Sequence, residues 1–428
     1  MRELIIGLFG FFTGFVWAQV ENSVPAGTNL NMERNGIMYN NELEESTINL
    51  DTITIIEEVT NENTKDSRKK KLHVGRAVRE EVKITDQTQT EARGTYKEEL
   101  KTTAPEYTDT PEGYKAADDD FNRADWDAST QRSQRSPSAE QQMYMDQAVG
   151  YFEVAAPASF EHHYFKYVAG NHDTTLFYHL QEAEQLQPDN SDVHTQMAGY
   201  YVITDDTAQA LVYIDKLIEE DRLKESAMDY SEDVLLSAPE NGTLVTHGFD
   251  DGYGAYYVQN SSQLRSDVTL VSLDLLQSEA YRNKLEKKGY SIPDTSLIDV
   301  QYLEKFCVQN PDKNIAISLT TPKEYFLPIQ RNLYVVGLLF EYHQEDYNNF
   351  FRNDYLWNEE LTKTNVMNPK DETGRQLSAN YLPMMLMLQK AYGETGESDK
   401  AEELDKISDQ VGVQCKKYEQ IKKVKASY

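Results

Sequence analysis

Two adjacent aspartates in a glycine-rich loop are the residues of this sequence best suited to binding chemistry. Asp250 and Asp251 stand within residues 247–254, between an apolar run typical of a β-strand and a helical pattern. Such carboxylates can coordinate a hard cation or accept hydrogen bonds from sugar hydroxyls. Aspartate and glycine before a helix are also ordinary turn and capping residues, and this second interpretation stays open.

His247 and Thr320 complete the candidate ligand loop. His247 begins the loop, and Thr320 follows a later apolar run at residues 315–319. If the two runs are parallel strands, their carboxyl ends meet at the edge where open α/β sheets bind ligands. The glycines of the loop lack the spacing of a dinucleotide fingerprint, so we expect no nucleotide cofactor and no other cofactor.

Four histidines fall within a short stretch and raise the question of a metal, because imidazole is a common transition-metal ligand. They are His162, His163, His172 and His179. Adjacent histidines on one helix point in different directions, and no histidine pair four residues apart carries a glutamate base. We therefore predict no metal site. The sequence also lacks a Gly-x-Ser-x-Gly elbow, a P-loop and a zinc-protease signature, so it nominates no catalytic residue and favours a non-enzyme.

The segment that must position these residues begins with a helix pair at residues 191–221, which resembles one tetratricopeptide repeat. Small and large side chains occupy the positions where such pairs pack closely and fill the space between repeats. In this first pair the signature residues are Met197, Ala198, Tyr201, Ala210 and Leu217. A looser repeat precedes it at residues 160–190. A third pair near the C-terminus carries Leu388, Ala391 and Ala401.

Between the repeats the apolar pattern changes period. Short β runs at residues 243–247, 268–273 and 315–319 alternate with helical patterns, which predicts right-handed crossovers and a small parallel sheet. The predicted fold is mainly α with an inserted three-layer α/β unit at residues 234–328. Helical repeats at residues 143–233 precede it, and a helical region at residues 329–428, including a helical pattern at 334–347, follows it.

The N-terminal third has a different composition. Residues 1–18 contain Arg2, an apolar run and small residues before Gln19, which predicts a signal peptide cleaved after Ala18; an uncleaved anchor is the alternative. Residues 19–142 are polar and acidic, and we expect a mostly disordered arm. Two stretches with alternating patterns, at residues 47–59 and 82–96, are candidates for strands within it.

The order of the parts resembles a known family. Residues 242–252, with Gly248-Phe249-Asp250-Asp251 after the first β run, and residues 266–276, ending in Leu275-Leu276, are similar to the soluble C-terminal region of bacterial multi-spanning membrane proteins related to protein O-mannosyltransferases. The family shows a Gly-Asp-Asn-Asp-type loop, from which this chain departs at two positions. The resemblance spans residues 234–407 and omits the membrane transferase region, so it implies a soluble accessory module and not glycosyl transfer.

Net charge limits the partners. The 428 residues carry a formal net charge of -30, which repels phosphate backbones and anionic membrane surfaces, so we expect no nucleic-acid partner. No second stretch is apolar enough to span a membrane. The two cysteines, Cys307 and Cys415, allow one disulfide, although Cys307 lies in an apolar helical pattern where a buried free thiol fits equally well.

Two functions from different classes are consistent with these features. The first is an exported, non-enzymatic scaffold that binds a protein of the bacterial cell envelope or outer membrane through its repeat surface. The alternative is a glycan-binding or carbohydrate-active module that uses the loop around Asp250 and Asp251. A signal peptide predicts export to the periplasm, the outer membrane or the medium, and does not separate them.

Overall fold

The computed structural model describes residues 105–426. The signal peptide, most of the arm and its two candidate strands lie outside the described residues. The helices are α1 Pro111–Ser129, α2 Ala139–Ala155, α3 Phe160–Ala169, α4 Phe177–Leu186, α5 Ser191–Ile203, α6 Thr207–Glu219, α7 Glu225–Ser237, α8 Phe249–Ser262, α9 Glu279–Lys287, α10 Val300–Gln309, α11 Lys323–Phe326, α12 Phe350–Tyr355, α13 Thr364–Met367, α14 Glu372–Leu377, α15 Leu382–Thr395, α16 Ser398–Gln414 and α17 Tyr418–Lys425. The strands are β1 Thr243–Thr246, β2 Thr269–Ser272, β3 Ile315–Ser318, β4 Leu333–Val336 and β5 Leu339–Tyr342.

The prediction that the disordered arm extends to residue 142 is wrong from residue 111 onward, because α1 and the start of α2 lie there. The α1 sequence is highly charged, yet Ala117, Phe121 and Ala124 form a narrow buried stripe. Phe121 stacks on Phe165 of α3, with ring centroids 3.7 Å apart. Helices α1, α2 and α3 thus bury a small core of their own. Thr110 caps α1 by accepting a hydrogen bond from the Gly113 N–H.

The helix pairs α3–α4 and α5–α6 lie in the two segments where the sequence predicts helix pairs. Asn190 caps α5, and Asp206 caps α6 by accepting from the Gln209 N–H. Asp205, with φ of 63°, makes the tight turn between the two helices. Part of this pair faces the sheet unit: the Tyr256 hydroxyl of α8 donates to Thr207, and the Lys284 ammonium of α9 donates to the Val202 carbonyl.

The sheet has five strands in the order β2-β1-β3-β5-β4. Strand β1 lies between β2 and β3 and is parallel to both, as the sequence predicts. Strand β5 runs antiparallel to β3, and β4 antiparallel to β5, so the sheet is mixed and not purely parallel. The carboxyl ends of β1, β2 and β3 therefore meet at one edge.

The helical pattern predicted at residues 334–347 is wrong, because β4 and β5 form a hairpin there. All four residues of β4 are buried, so the alternation that marks a half-exposed strand is missing from the sequence. Gly337, with φ of 57°, makes the turn. A side chain at this position would meet the Ser237 hydroxyl at 2.1 Å, so the turn also requires the absence of a side chain. The α/β unit thus extends beyond residue 328.

The C-terminal helices pack against α7 and the hairpin. Asp233 of α7 is fully buried and accepts hydrogen bonds from the N–H groups of Thr362 and Lys363, at 2.6 and 2.9 Å, and from the Tyr381 hydroxyl at 2.6 Å. Helices α15 and α16 form the third predicted pair. Both cysteines are free. Within residues 105–426, no helix is both long and apolar enough to cross a membrane.

Candidate functional site

The end of β1 is organised by two backbone N–H groups that donate to buried carboxylates. Gly248, with φ of 85°, turns the chain into α8 and donates its N–H to Asp274 at 2.7 Å. The N–H of His247 donates to Asp251 at 3.1 Å. Only glycine adopts this φ readily, so Gly248 allows both contacts to form at once.

Asp251 belongs to a hydrogen-bond network inside the fold. Its second carboxylate oxygen accepts from the Ser318 hydroxyl at 2.9 Å, and that hydroxyl lies 2.8 Å from the hydroxyl of Thr320. Asp251 is 3% exposed, and burial raises its pKa to about 7 against the opposing effect of these hydrogen bonds. Asp251, Ser318 and Thr320 therefore link α8 to the end of β3 through hydrogen bonds.

A segment at residues 131–136, here called the strap, lies along the same edge. The Arg135 N–H donates to the Ile298 carbonyl at 2.7 Å, and the Arg135 guanidinium forms an ion pair with Asp274 at 2.7 Å. Burial raises the pKa of Asp274, but the combined effects of Arg135, His247 and the Gly248 N–H outweigh it and the pKa is lowered. Burial, assisted by Arg135, lowers the pKa of His247 to about 3, so its imidazole is neutral.

Asp250 has a different environment from its neighbour. Its carboxylate makes no hydrogen bond within residues 105–426 and is half-buried, and burial raises its pKa to about 6. Arg222 lies close enough to lower that pKa, and its guanidinium stacks over the Phe249 ring with 5.1 Å to the ring centroid. The Arg222 Nε is buried and also has no partner in the described part of the chain.

Three side chains from the N-terminal helices extend this group. Burial raises the pKa of Asp125 on α1 to about 6, and the nearby Asp192 carboxylate on α5 raises it further. Burial also raises the pKa of Asp192, against the opposing charge of Arg222. Burial raises the pKa of the Tyr164 hydroxyl on α3, with both aspartates adding to the effect. Asp125, Tyr164 and Asp192 are all half-buried. We call this group the acidic crevice: Asp125, Tyr164, Asp192, Arg222, Phe249 and Asp250.

The four histidines separate into two places. His172 lies in the turn after α3, with its Nδ1 buried and unpartnered among the described residues, and burial lowers its pKa to about 4. The negative charge of Asp274 raises the pKa of His172, in opposition to burial. His162, His163 and His179 come together on α3 and α4. No group of three or more histidine, cysteine, aspartate or glutamate side chains in residues 105–426 is arranged to hold a metal ion.

The sequence thus predicts some of the residues at this edge of the sheet. It nominates His247, Asp250, Asp251 and Thr320, of which Asp250 alone faces the acidic crevice. Asp125, Tyr164, Asp192 and Arg222 come from separate elements, and no local motif marks them. Of the repeat signature, Met197, Ala198, Ala210, Leu217 and Leu388 are buried, whereas Tyr201, Ala391 and Ala401 are half-buried. These residues pack the helix pairs; the tetratricopeptide assignment stays a prediction.

Comparison with known proteins finds a family model that covers both the sheet unit and the C-terminal helices. Residues 227–424 match the family TMEM260-associated domain 2. TMEM260 is related to O-mannosyltransferases, which agrees at that coarse level with the resemblance carried by residues 234–407. No curated protein and no solved structure matches the chain. The matched segment includes Asp250 and Asp274, and it begins after Arg222.

Proposed function

We propose that this chain is a glycan-binding module and that the acidic crevice holds the ligand. The observation that carries the proposal is the pair formed by Asp250 and Arg222. The Arg222 Nε is buried without a hydrogen-bond partner in the described part of the chain, and burial raises the pKa of the nearby half-buried Asp250 carboxylate. Buried polar groups are almost always paired, so an unpaired guanidinium N–H beside a carboxylate is suited to a hydroxyl-bearing ligand.

The chemistry of the crevice suits a hydroxyl-rich ligand. Carboxylates accept and a guanidinium donates hydrogen bonds in the paired geometry that neighbouring sugar hydroxyls offer. The Phe249 ring lies under the Arg222 guanidinium, and the Tyr164 ring stacks on Phe160, so aromatic rings lie beside these polar groups. The position at the end of β1, beyond the carboxyl ends of the parallel strands, is where open α/β sheets bind ligands.

The proposal predicts that Arg222→Gln and Asp250→Asn each weaken glycan binding by the loss of charge-assisted hydrogen bonds. We expect about 10-fold to 100-fold weaker binding for each, since one such bond contributes about 1.5–3 kcal/mol. The measurement is a glycan array with the full chain, followed by calorimetric titration of the best ligand against each variant.

Asp221→Asn is the matched control. Asp221 precedes Arg222 in the same loop, and its side chain is 78% exposed, so this variant should bind as the parent does. Binding that is equal in the parent, Arg222→Gln and Asp250→Asn would contradict the proposal. So would an array on which the folded parent retains no glycan.

A scaffold of the bacterial cell envelope is the second candidate. It is supported by exposed apolar side chains on the outer surfaces of the helix pairs: Tyr178, Leu186 and Val212 are 61%, 47% and 47% exposed. In this proposal the chain is exported and binds an envelope or outer-membrane protein through a tetratricopeptide-like surface. A crosslinked pull-down from envelope extract tests it, with Val212→Glu as the variant expected to lose the partner.

A further inference from the structure

Three histidines outside the acidic crevice form a cluster between α3 and α4. The Nδ1 atoms of His163 and His179 are 3.0 Å apart. The ring of His162 lies 4.9 Å from that of His163 and 5.4 Å from that of His179, centroid to centroid. Neither the family match nor the proposed function involves these residues.

The separation of the two Nδ1 atoms fits shared coordination of one metal ion. Imidazole nitrogens bind zinc at about 2.0–2.1 Å, so two ligands at right angles or at the tetrahedral angle stand about 2.9–3.4 Å apart. Without a metal, one of the two Nδ1 atoms must donate a proton to the other. With a metal, both Nδ1 atoms would offer lone pairs to the ion, and both tautomers would carry the proton on Nε2.

Burial and charged groups of both signs act on the two rings. Burial lowers the pKa of His163, and the neighbouring His162 lowers it further. Burial, followed by the charge of His163, lowers the pKa of His179. Glu182 acts on His163 with negative charge, and the positive charge of Lys166 acts on His179 more strongly than the negative charge of Glu153.

We propose that His163 and His179 form a two-histidine site that binds one divalent transition-metal ion through their Nδ1 atoms and joins α3 to α4. Cu²⁺ is the ion expected to bind most tightly, because its complexes with nitrogen ligands are the most stable of the divalent series. Water completes the coordination. His162 is not a ligand through Nδ1, which lies 2.7 Å from the Pro157 carbonyl and donates to it.

The test uses the full chain and the metal alone. CuCl₂ or ZnCl₂ is titrated calorimetrically in a buffer that does not chelate metals, and thermal unfolding is recorded with and without the ion. We expect one high-affinity equivalent and a higher melting temperature, since an ion that binds only the folded state stabilises it. Electron paramagnetic resonance of the Cu²⁺ form should show two coordinated nitrogens.

His163→Gln and His179→Gln should each weaken this equivalent at least about 10-fold and abolish the two-nitrogen spectrum, because one imidazole ligand is lost. His162→Gln is the matched control and should keep both the affinity and the spectrum. An unchanged equivalent in the double variant, an equal loss in His162→Gln, or no binding at about 100 µM metal would overturn the proposal. Glycan binding is unaffected by any of these outcomes, so the two proposals fail separately.

Discussion

The two aspartates after β1 are neighbours in sequence and differ in what surrounds them. Asp251 accepts hydrogen bonds from the His247 N–H and the Ser318 hydroxyl, whereas Asp250 has none within residues 105–426. A charged group without a partner weakens the fold that contains it. Burial therefore disfavours the charged form of Asp250 in the folded chain, which is why its pKa is raised.

This difference predicts a pH effect for Asp250→Asn. The folded-state pKa of Asp250 is about 6, above its ordinary value of 3.8, so the folded chain holds this proton more tightly than the unfolded chain. The resulting stability is fully present below pH 3.8 and is lost as the pH rises through 6. Asparagine resembles the protonated form, so the variant should melt at a higher temperature than the parent at pH 7.5.

Thermal unfolding at pH 4 and pH 7.5 checks this expectation. The two proteins should have nearly equal melting temperatures at pH 4, and the variant should be the more stable at pH 7.5. Asp127→Asn is the control, because Asp127 is exposed on α1 and should behave as the parent at both values. A variant that is less stable than the parent at pH 7.5 would show that Asp250 is a structural residue.

The sequence predicts Asp250 as a candidate ligand residue because a carboxylate in a loop after a strand has a local signature. It could not find Arg222, Asp192 or Asp125, because their meaning depends on which elements the tertiary fold brings together. Each of them, taken alone, is an ordinary charged residue on or beside a helix. The sequence also could not show that Asp250 and Asp251 have different surroundings, since both residues fit the turn and the ligand interpretations equally.

At the scale of elements, Asp233 is a fully buried polar link between α7 and the C-terminal segment. Its carboxylate accepts from the Thr362 N–H, the Lys363 N–H and the Tyr381 hydroxyl. Asparagine would present an N–H₂ group to at least one of these donors. We predict that Asp233→Asn lowers the free energy of unfolding by about 2–4 kcal/mol, as expected for breaking a buried hydrogen-bond network.

Urea unfolding followed by circular dichroism measures this change. Glu232→Gln, one position away on the same helix and half-buried, should cost much less and serves as the control. A Tyr381→Phe variant should show a smaller loss than Asp233→Asn, because it removes one donor and leaves the two N–H groups paired. Equal stability of Asp233→Asn and the parent would contradict the role assigned to Asp233.

The elements that the sequence predicted and those that it missed differ in how their apolar residues are distributed. Strands β1 and β3 are short apolar runs bounded by polar and turn residues, and both were predicted. Strand β4 is apolar on both faces, β5 contains one charged residue, Glu341, and only two residues join the strands. The pair therefore lacks the regular alternation and the long turn that would separate it from a helical pattern. Helix α1 buries only a narrow stripe, and its high charge resembles that of the preceding acidic sequence, for which disorder is predicted.

At the scale of the whole molecule, the reactivity of the cysteine thiols measures global unfolding. Cys307 is fully buried, and burial raises its pKa, so it should react with a thiol reagent only when the fold opens. Cys415 is half-buried and should react in the folded protein. We predict a fast phase and a slow phase in a thiol titration, with the slow phase tracking the unfolding rate.

Two controls accompany this titration. Cys415→Ser should remove the fast phase and leave the slow one, and a reducing agent should leave the melting temperature unchanged because both thiols are free. A melting temperature that falls on reduction would reveal a disulfide between Cys307 and Cys415, since such a bridge contributes about 2–4 kcal/mol.

The acidic crevice is built from two parts of the chain with different relationships to other proteins. Phe249 and Asp250 lie inside the segment that matches a family, and Arg222, Asp192, Tyr164 and Asp125 lie outside it. A chain that shares only the matched segment would carry Phe249 and Asp250 and lack the other four side chains of the group. Under the proposed glycan-binding function, four of the six side chains that would set ligand preference therefore come from outside the family segment.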